Sequence, residues 1–392
     1  MMMTSNNGDQ LLRFKHHLFI LMCILLFACK GGEQNMFSAK SEGGDTLKLT
    51  YAHNINIVKH GDYTIVSLAN PWKKGEILHS YLLCANPNAI SEDVKKGHTV
   101  VKTPLKKSLV ATAVHCSLFA ELGCKEAVAG VCESNYINLD FIKEGVNSKK
   151  IADCGSGMQP DVERVMALSP DAIMLSPYES SAGYGKVDQL NIPIIELVDY
   201  METSPLARAE WMLFYGMLVG KEDEAQKILD KVVKEYEEYK TIASDDDTKM
   251  KVLIDKMYQA TWFLPGGQST IGIMLNDANC NYIYSDEKNS GSIERSFEQV
   301  LDKAADADIW LLRYGKMGNE VYNLQSLSKE NEKYSIFKPY KSGEVYGCET
   351  SETHFFEETP FHPERLLRDF VILTHPQLDL AKNSKTKYFI KL

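Results

Sequence analysis

Cysteine carries the most reactive chemistry in this sequence, and its nine copies fall into two groups by position. Cys29 stands apart. It follows an unbroken apolar run from Leu18 to Ala28 and is preceded by Leu26-Phe27-Ala28. A leucine three before a cysteine, with a small residue just ahead of it, is a pattern for cleavage and acylation of the thiol. Cys23 lies inside the apolar run. The other seven are Cys84, Cys116, Cys124, Cys132, Cys154, Cys280 and Cys348. Most sit in apolar stretches and read as small buried hydrophobes. The eight-residue recurrence of Cys116, Cys124 and Cys132 is not a zinc spacing. An odd count in an oxidising compartment leaves at least one thiol unpaired. Catalytic signatures are missing: there is no Gly-x-Ser-x-Gly elbow, no His-Glu-x-x-His and no P-loop. Gly155-Ser156-Gly157 lacks the third glycine of a dinucleotide turn.

The start of the chain has the three-part form of a secretory signal over residues 1–28, with Arg13, Lys15, His16 and His17 as its basic side. Its eleven-residue apolar run is too short to span a bilayer, which takes about 20 residues. Its end resembles the bacterial lipobox. That resemblance implies a Cys29 diacylated on sulfur as the new N-terminus, anchored in a bacterial membrane facing the periplasm, since two or more acyl chains hold stably. Residues 29–45 are rich in Gly, Ser, Glu and Asn and read as a flexible tether, with folding expected from about Leu47. The net charge of −10 becomes −11 once the signal's +1 is removed, which argues against nucleic acid as a partner.

The elements that must position any site follow from apolar patterning. Residues 47–101 alternate apolar and polar positions in short runs and predict one or two hairpins. From Ser108 short apolar strands alternate with helices: strands at 109–113, 127–131, 151–154, 172–176 and 194–198, helices at 117–122, 139–144, 161–168 and 186–190. This predicts a mostly parallel sheet with helices on its faces. Ser204-Pro205 opens a helical region that breaks near Gly220. Ala225, Ile228, Leu229, Val232, Val233 and Tyr236 then give one apolar stripe on a long helix. Strand–helix alternation resumes at 252–256, 282–285, 309–313 and 344–348. A helix with Glu in its first turn, then a turn and a buried strand, occurs at Asp161–Leu175 and again at Ser296–Leu311, a short pseudo-repeat. The fold expected is α/β: an N-lobe with its β-rich leader over 46–203, a helical connection over 204–246 and a C-lobe over 247–392.

On these pieces the sequence resembles the binding proteins for ferric siderophores, haem and cobalamin, two lobes joined by one long helix. The resemblance covers roughly 105–378. It is carried by Glu121-Leu122-Gly123 with Ala129-Gly130-Val131, by Gln159-Pro160-Asp161-Val162-Glu163 with Leu168-Ser169-Pro170-Asp171, by Gly220-Lys221-Glu222 with Ala225, and by Ser296-Phe297-Glu298-Gln299-Val300. It implies a binder, not an enzyme, with no resident cofactor. The implied ligand is an iron chelate or cobalamin held between the lobes and passed to an ABC permease of the inner membrane. It implies permease docking through Glu163 and Glu298. Cleft residues in such proteins come from loops after the sheet strands, which here carry His115, Tyr136, Gly157, Met158, Tyr178, Glu179, Tyr258, Trp262, Gly267, Arg313 and Tyr314, with Phe356 and Phe263 read more readily as packing. Aromatics offer flat faces to a chelate and Arg313 can pair with an anionic one. Gly266-Gly267 would let backbone approach the ligand. The competing reading is a bare zinc or manganese binder using His115 with His354 or His362.

Overall fold

The computed structural model describes residues 43–179, 183–316, 318 and 321–392. The signal segment, Cys29 and the tether up to residue 42 lie outside the described residues. Ordered pairing begins slightly earlier than the composition predicts. Strand β1 (Asp45–Thr46) pairs with β2 (Ile55–Lys59), and Leu47 N donates to Ile57 O at 2.9 Å.

The leader is one sheet rather than loose hairpins. β1, β2, β3 (Tyr63–Ala69), β4 (Ile77–Cys84) and β5 (Thr99–Lys102) lie in that spatial order. All pairs are antiparallel except β4–β5. Its inner face, including Ile57, Val66, Leu68 and Tyr81, belongs to the same hydrophobic core as the lobe behind it. Two buried carboxylates reinforce that union. Glu210 accepts from the backbone N–H groups of Thr50, Tyr51 and Ala52 at 2.7–2.8 Å. Glu202 accepts from His53 N, Asn54 N and Trp211 Nε1 at 2.8–3.0 Å. Five consecutive amides that no strand partner serves are thereby satisfied, as buried backbone requires.

The first lobe is a fully parallel sheet, β10-β9-β6-β7-β8, from β6 (Ser108–Val110), β7 (Val128–Val131), β8 (Ala152–Asp153), β9 (Ala172–Leu175) and β10 (Ile194–Glu196). The second has the order β14-β11-β16-β17-β18, with only β18 (Ile390–Lys391) antiparallel; its other strands are β11 (Lys251–Ile254), β14 (Asn281–Tyr282), β16 (Ile309–Tyr314) and β17 (Val345–Glu349). A small antiparallel sheet of β12 (Met257–Tyr258), β13 (Thr261–Pro265) and β15 (Ser292–Arg295) is attached to it.

The pseudo-repeat has a structural counterpart that sequence matching understated. β9 and β16 each run beside the first strand of their lobe. The aspartate opening each strand clips that neighbour in the same way. Asp171 accepts from Lys106 N and Lys107 N and its own N–H reaches Lys107 O; Asp308 accepts from Lys251 N and its N–H reaches Lys251 O.

Between the lobes runs helix Glu222–Ser244, 23 residues and so about 35 Å long. Gly220, at φ 67°, ends the helix before it in the left-handed conformation that glycine tolerates. Glu222, Asp223 and Glu224 suit the positive end of the new helix dipole. Ala225, Leu229, Val232 and Tyr236 form its buried stripe. It packs on Met212–Val219 on one side and on Pro363–Thr374 on the other.

Candidate ligand cleft

In open parallel sheets the loops beyond the carboxyl ends of the strands form the binding crevice. The two sets of loops meet here. Asn138, after β7, donates its side-chain amide to Ser351 O, after β17. The helix Ala113–Glu121 of the first lobe also lies against the short helix Phe355–Glu358 of the second.

A cavity of about 740 Å³ opens on the second-lobe side. Its floor is Asp255, Arg313 and Tyr314 at the ends of β11 and β16, and its walls include Tyr258, Phe263 and Phe356. These three wall aromatics are 69 %, 40 % and 55 % exposed, although Phe356 has an edge contact with Phe355, and together they present apolar surface to the cavity. Ser269, Thr270, Ser290, Ser292 and Thr350 add hydroxyls. Tyr314 is stacked on Tyr322 with centroids 4.2 Å apart, which fixes the ring.

The residues expected from sequence separate into three sets. Tyr258, Arg313 and Tyr314 line the cavity. Tyr136, Met158, Tyr178 and Glu179 stand exposed at the strand ends of the first lobe, and Gly157 lies against Glu133 and Cys132 there. His115, Trp262 and Gly267 are placed elsewhere. His115 is buried with both nitrogens engaged, Nδ1 with Thr112 Oγ1 at 2.6 Å and Nε2 with Asp199 Oδ1 at 3.0 Å. Trp262 has no exposed surface, and Nε1 donates to Ile254 O at 3.0 Å. The reason is strand alternation: β13 turns Trp262 and Leu264 inward and Phe263 outward. Gly267 serves chain packing, because a Cβ there would meet Ser285 O at 2.2 Å. Phe263 and Phe356, read as packing residues, line the cavity instead.

Electrostatics in the cavity also differ from the expectation. Arg313 is held by Asp255 through Nε at 2.9 Å and a second nitrogen at 2.5 Å. Lys256 is held by Glu330 and by Tyr322 OH at 3.0 Å. For the bare-metal reading, His362 is committed to Glu364 at 2.9 Å and Glu121 at 2.6 Å, and no group of three or more metal-ligating side chains occurs among the described residues.

That His362 contact joins the lobes, with Arg365 and Glu358 beside it. Burial alone would lower the His362 pKa, but its hydrogen bonds to Glu121 and Glu364 and their charges outweigh burial and raise it. Burial pushes Glu121 up, and His362 with Arg365 outweighs that and lowers it. A raised histidine stabilises fully below its ordinary pKa of about 6.5 and loses the effect as pH rises through the folded value; a lowered glutamate stabilises above about 4.3 and loses it on acidification. The stability difference between wild type and His362→Gln is therefore expected to peak between those values, at about 1–3 kcal/mol, and to shrink as pH rises through the histidine's raised folded value. Thermal melts across pH check this; a difference that stays flat from pH 5 to 9 would sink it.

The sequence profile of the family described as "Periplasmic binding protein" matches residues 112–350. The chain belongs to that family. A curated relative, an uncharacterised lipoprotein of Methanocaldococcus jannaschii, is 24 % identical over 377 residues, covering 90 % of this chain and 87 % of its own. Among solved structures, a periplasmic binding protein from Veillonella parvula superposes with a TM-score of 0.59 at 14 % identity, covering 80 % of this chain and 99 % of the other. A siderophore-binding protein from Vibrio cholerae with bound Fe³⁺–Desferal gives 0.51 at 16 % identity, covering 69 % and 99 %. At these identities the likeness shows the two-lobed fold of periplasmic binding proteins.

Proposed function

We propose that this chain is the substrate-binding lipoprotein of an ABC importer, capturing an iron chelate (a siderophore or haem) or cobalamin between its lobes and delivering it to a membrane permease. The observation that carries the reading is the aromatic-walled cavity at the strand ends, where Tyr258, Phe263 and Phe356 remain exposed. A ligand with flat apolar faces would bury all three. Family membership supports a binding role over a catalytic one. The chelate carried by the Vibrio cholerae protein supports iron chelates as the first class to test. The bridging helix favours modest closure over wide hinge motion. Lipid attachment at Cys29, outside the cytoplasm, is supported by the relative's designation as a lipoprotein.

The test is a fluorescence titration of the full-length chain in detergent against haem, a ferric siderophore, cobalamin and Zn²⁺. Trp262 and Trp310 lie in the core of the lobe that carries the cavity and report on it. Saturable quenching by at least one chelate or by cobalamin is expected. Tight binding of Zn²⁺ alone, or of nothing, would overturn the reading.

A further inference from the structure

The cavity is rich in aromatic surface, and each cation among its described lining residues already has a carboxylate partner. Lys256 and Arg313 are the only positive side chains among its described lining residues. Arg313 is bidentate on Asp255, itself a lining residue, and Lys256 is paired with Glu330. Lys316, beside the lining Gly315, is not a lining residue; it is largely exposed and 3.6 Å from the equally exposed Glu352. Lys288, two residues from the lining Ser290, is exposed outside the cavity and has the exposed Asp286 on the same loop. The strand-end loops of the first lobe add Glu133 and Glu179, both exposed and without an ion-pair partner among the described residues.

A polyanion entering this space would have to break an existing pair or approach the exposed carboxylates of the first lobe's strand-end loops. Either is unfavourable, because juxtaposed like charges and stranded, partly buried charges both weaken binding. A neutral or singly positive complex needs neither and still gains the aromatic surface, with cation–π contact available to a positive one.

From this geometry we infer that the cleft selects metal chelates of zero or single positive net charge and excludes polyanionic ones. The inference rests on the chelate reading above and names the ligand class of that site. The pre-paired Asp255–Arg313 and Lys256–Glu330 bridges act as its charge filter, and specificity comes from repulsion as much as attraction.

The experiment compares three ferric probes on the full-length chain in detergent: ferrioxamine B, a monocation; ferrichrome, neutral; and ferric enterobactin, a trianion. The first two are expected to bind at least about a hundredfold tighter than the trianion. Glu330→Gln and Asp255→Asn each release a cation and are expected to tighten trianion binding about tenfold relative to ferrichrome. Equal or tighter binding of the trianion by the wild type overturns the charge inference while leaving the chelate reading intact. So does the absence of any relative shift in both variants. Binding of none of the three overturns the charge inference, while the chelate reading as a whole then stands or falls on the titration with haem and cobalamin.

Discussion

Asp199→Ala is expected to lose about 3–5 kcal/mol of folding stability, the cost of removing one partner from a buried charged network. Asp199 is 1 % exposed and accepts from His115 Nε2 at 3.0 Å, Tyr215 OH at 2.8 Å and Arg208 Nε at 2.9 Å. Burial by itself would raise its pKa, but the charges of His115 and Arg208 outweigh it and hold the carboxyl well below the usual range. A depressed carboxylate contributes stability above its unfolded pKa and loses it only as pH falls through the folded value. Its stabilisation therefore holds across neutral and mildly acidic pH. Truncation leaves the Tyr215 hydroxyl and His115 Nε2 without that partner in the core, while Arg208, 22 % exposed, can turn to water. Asp199→Asn keeps the shape and part of the bonding and should cost less. Urea unfolding at pH 7 measures both; a loss under 1 kcal/mol for the alanine variant would contradict the account. Chelate affinity should be unchanged in folded protein, because His115 and its partners do not line the cavity.

The second large effect concerns transport. Glu163→Ala combined with Glu298→Ala is expected to leave chelate binding intact and reduce uptake in cells to background. Both side chains are exposed in the first turn of a helix, at Val162–Leu168 and Phe297–Ala304. Neither is needed to cap it. Asp161 accepts from Arg164 N, and Ser296 forms a full capping box with Gln299. Glu298 lies 3.8 Å from Lys333, but both are largely exposed and such a pair is worth little. Both carboxylates are exposed, Glu298 with hydrogen bonds to its own backbone N–H and to Ser296, and on the proposed docking role they would meet cationic pockets on a permease. A docking contact worth about 2 kcal/mol each would change affinity roughly thirtyfold per residue. Single variants should show partial loss, and Glu→Arg reversal a deeper one. Normal uptake by the double variant would refute these roles.

Much of this architecture was legible because its signals are local. Parallel strands buried on both faces read as short apolar runs, and β7, β9 and β16 fall where those runs do. The bridging helix announced itself by spacing. Met212–Val219 is buried on every side and so has no amphipathic period; Pro205 and Gly220 marked it instead. β13 was hidden because Pro265-Gly266-Gly267 reads as a loop, and with it went the alternation that sends Trp262 inward and Phe263 outward. The cavity charges were illegible for another reason. Asp255 and Arg313 are 58 positions apart, and only the β11–β16 pairing brings them together. One missed signal was available: Glu210, in Ala207-Arg208-Ala209-Glu210-Trp211-Met212, is a carboxylate inside an apolar helical run. A charge in that setting requires a buried partner.

The carboxylate clasp on residues 50–54 also sets where the protein bears load. Tension applied at Gly43 would reach β1 and its two-residue pairing first, and would then meet the five hydrogen bonds from residues 50–54 to Glu210 and Glu202. Glu210 hangs from the short helix Pro205–Glu210, which touches the bridging helix and Pro363–Thr374 as well as Met212–Val219, so the force would spread into the helical layer between the lobes. A tug from the amino end would therefore be shared between the lobes and not borne by the leader's strands alone.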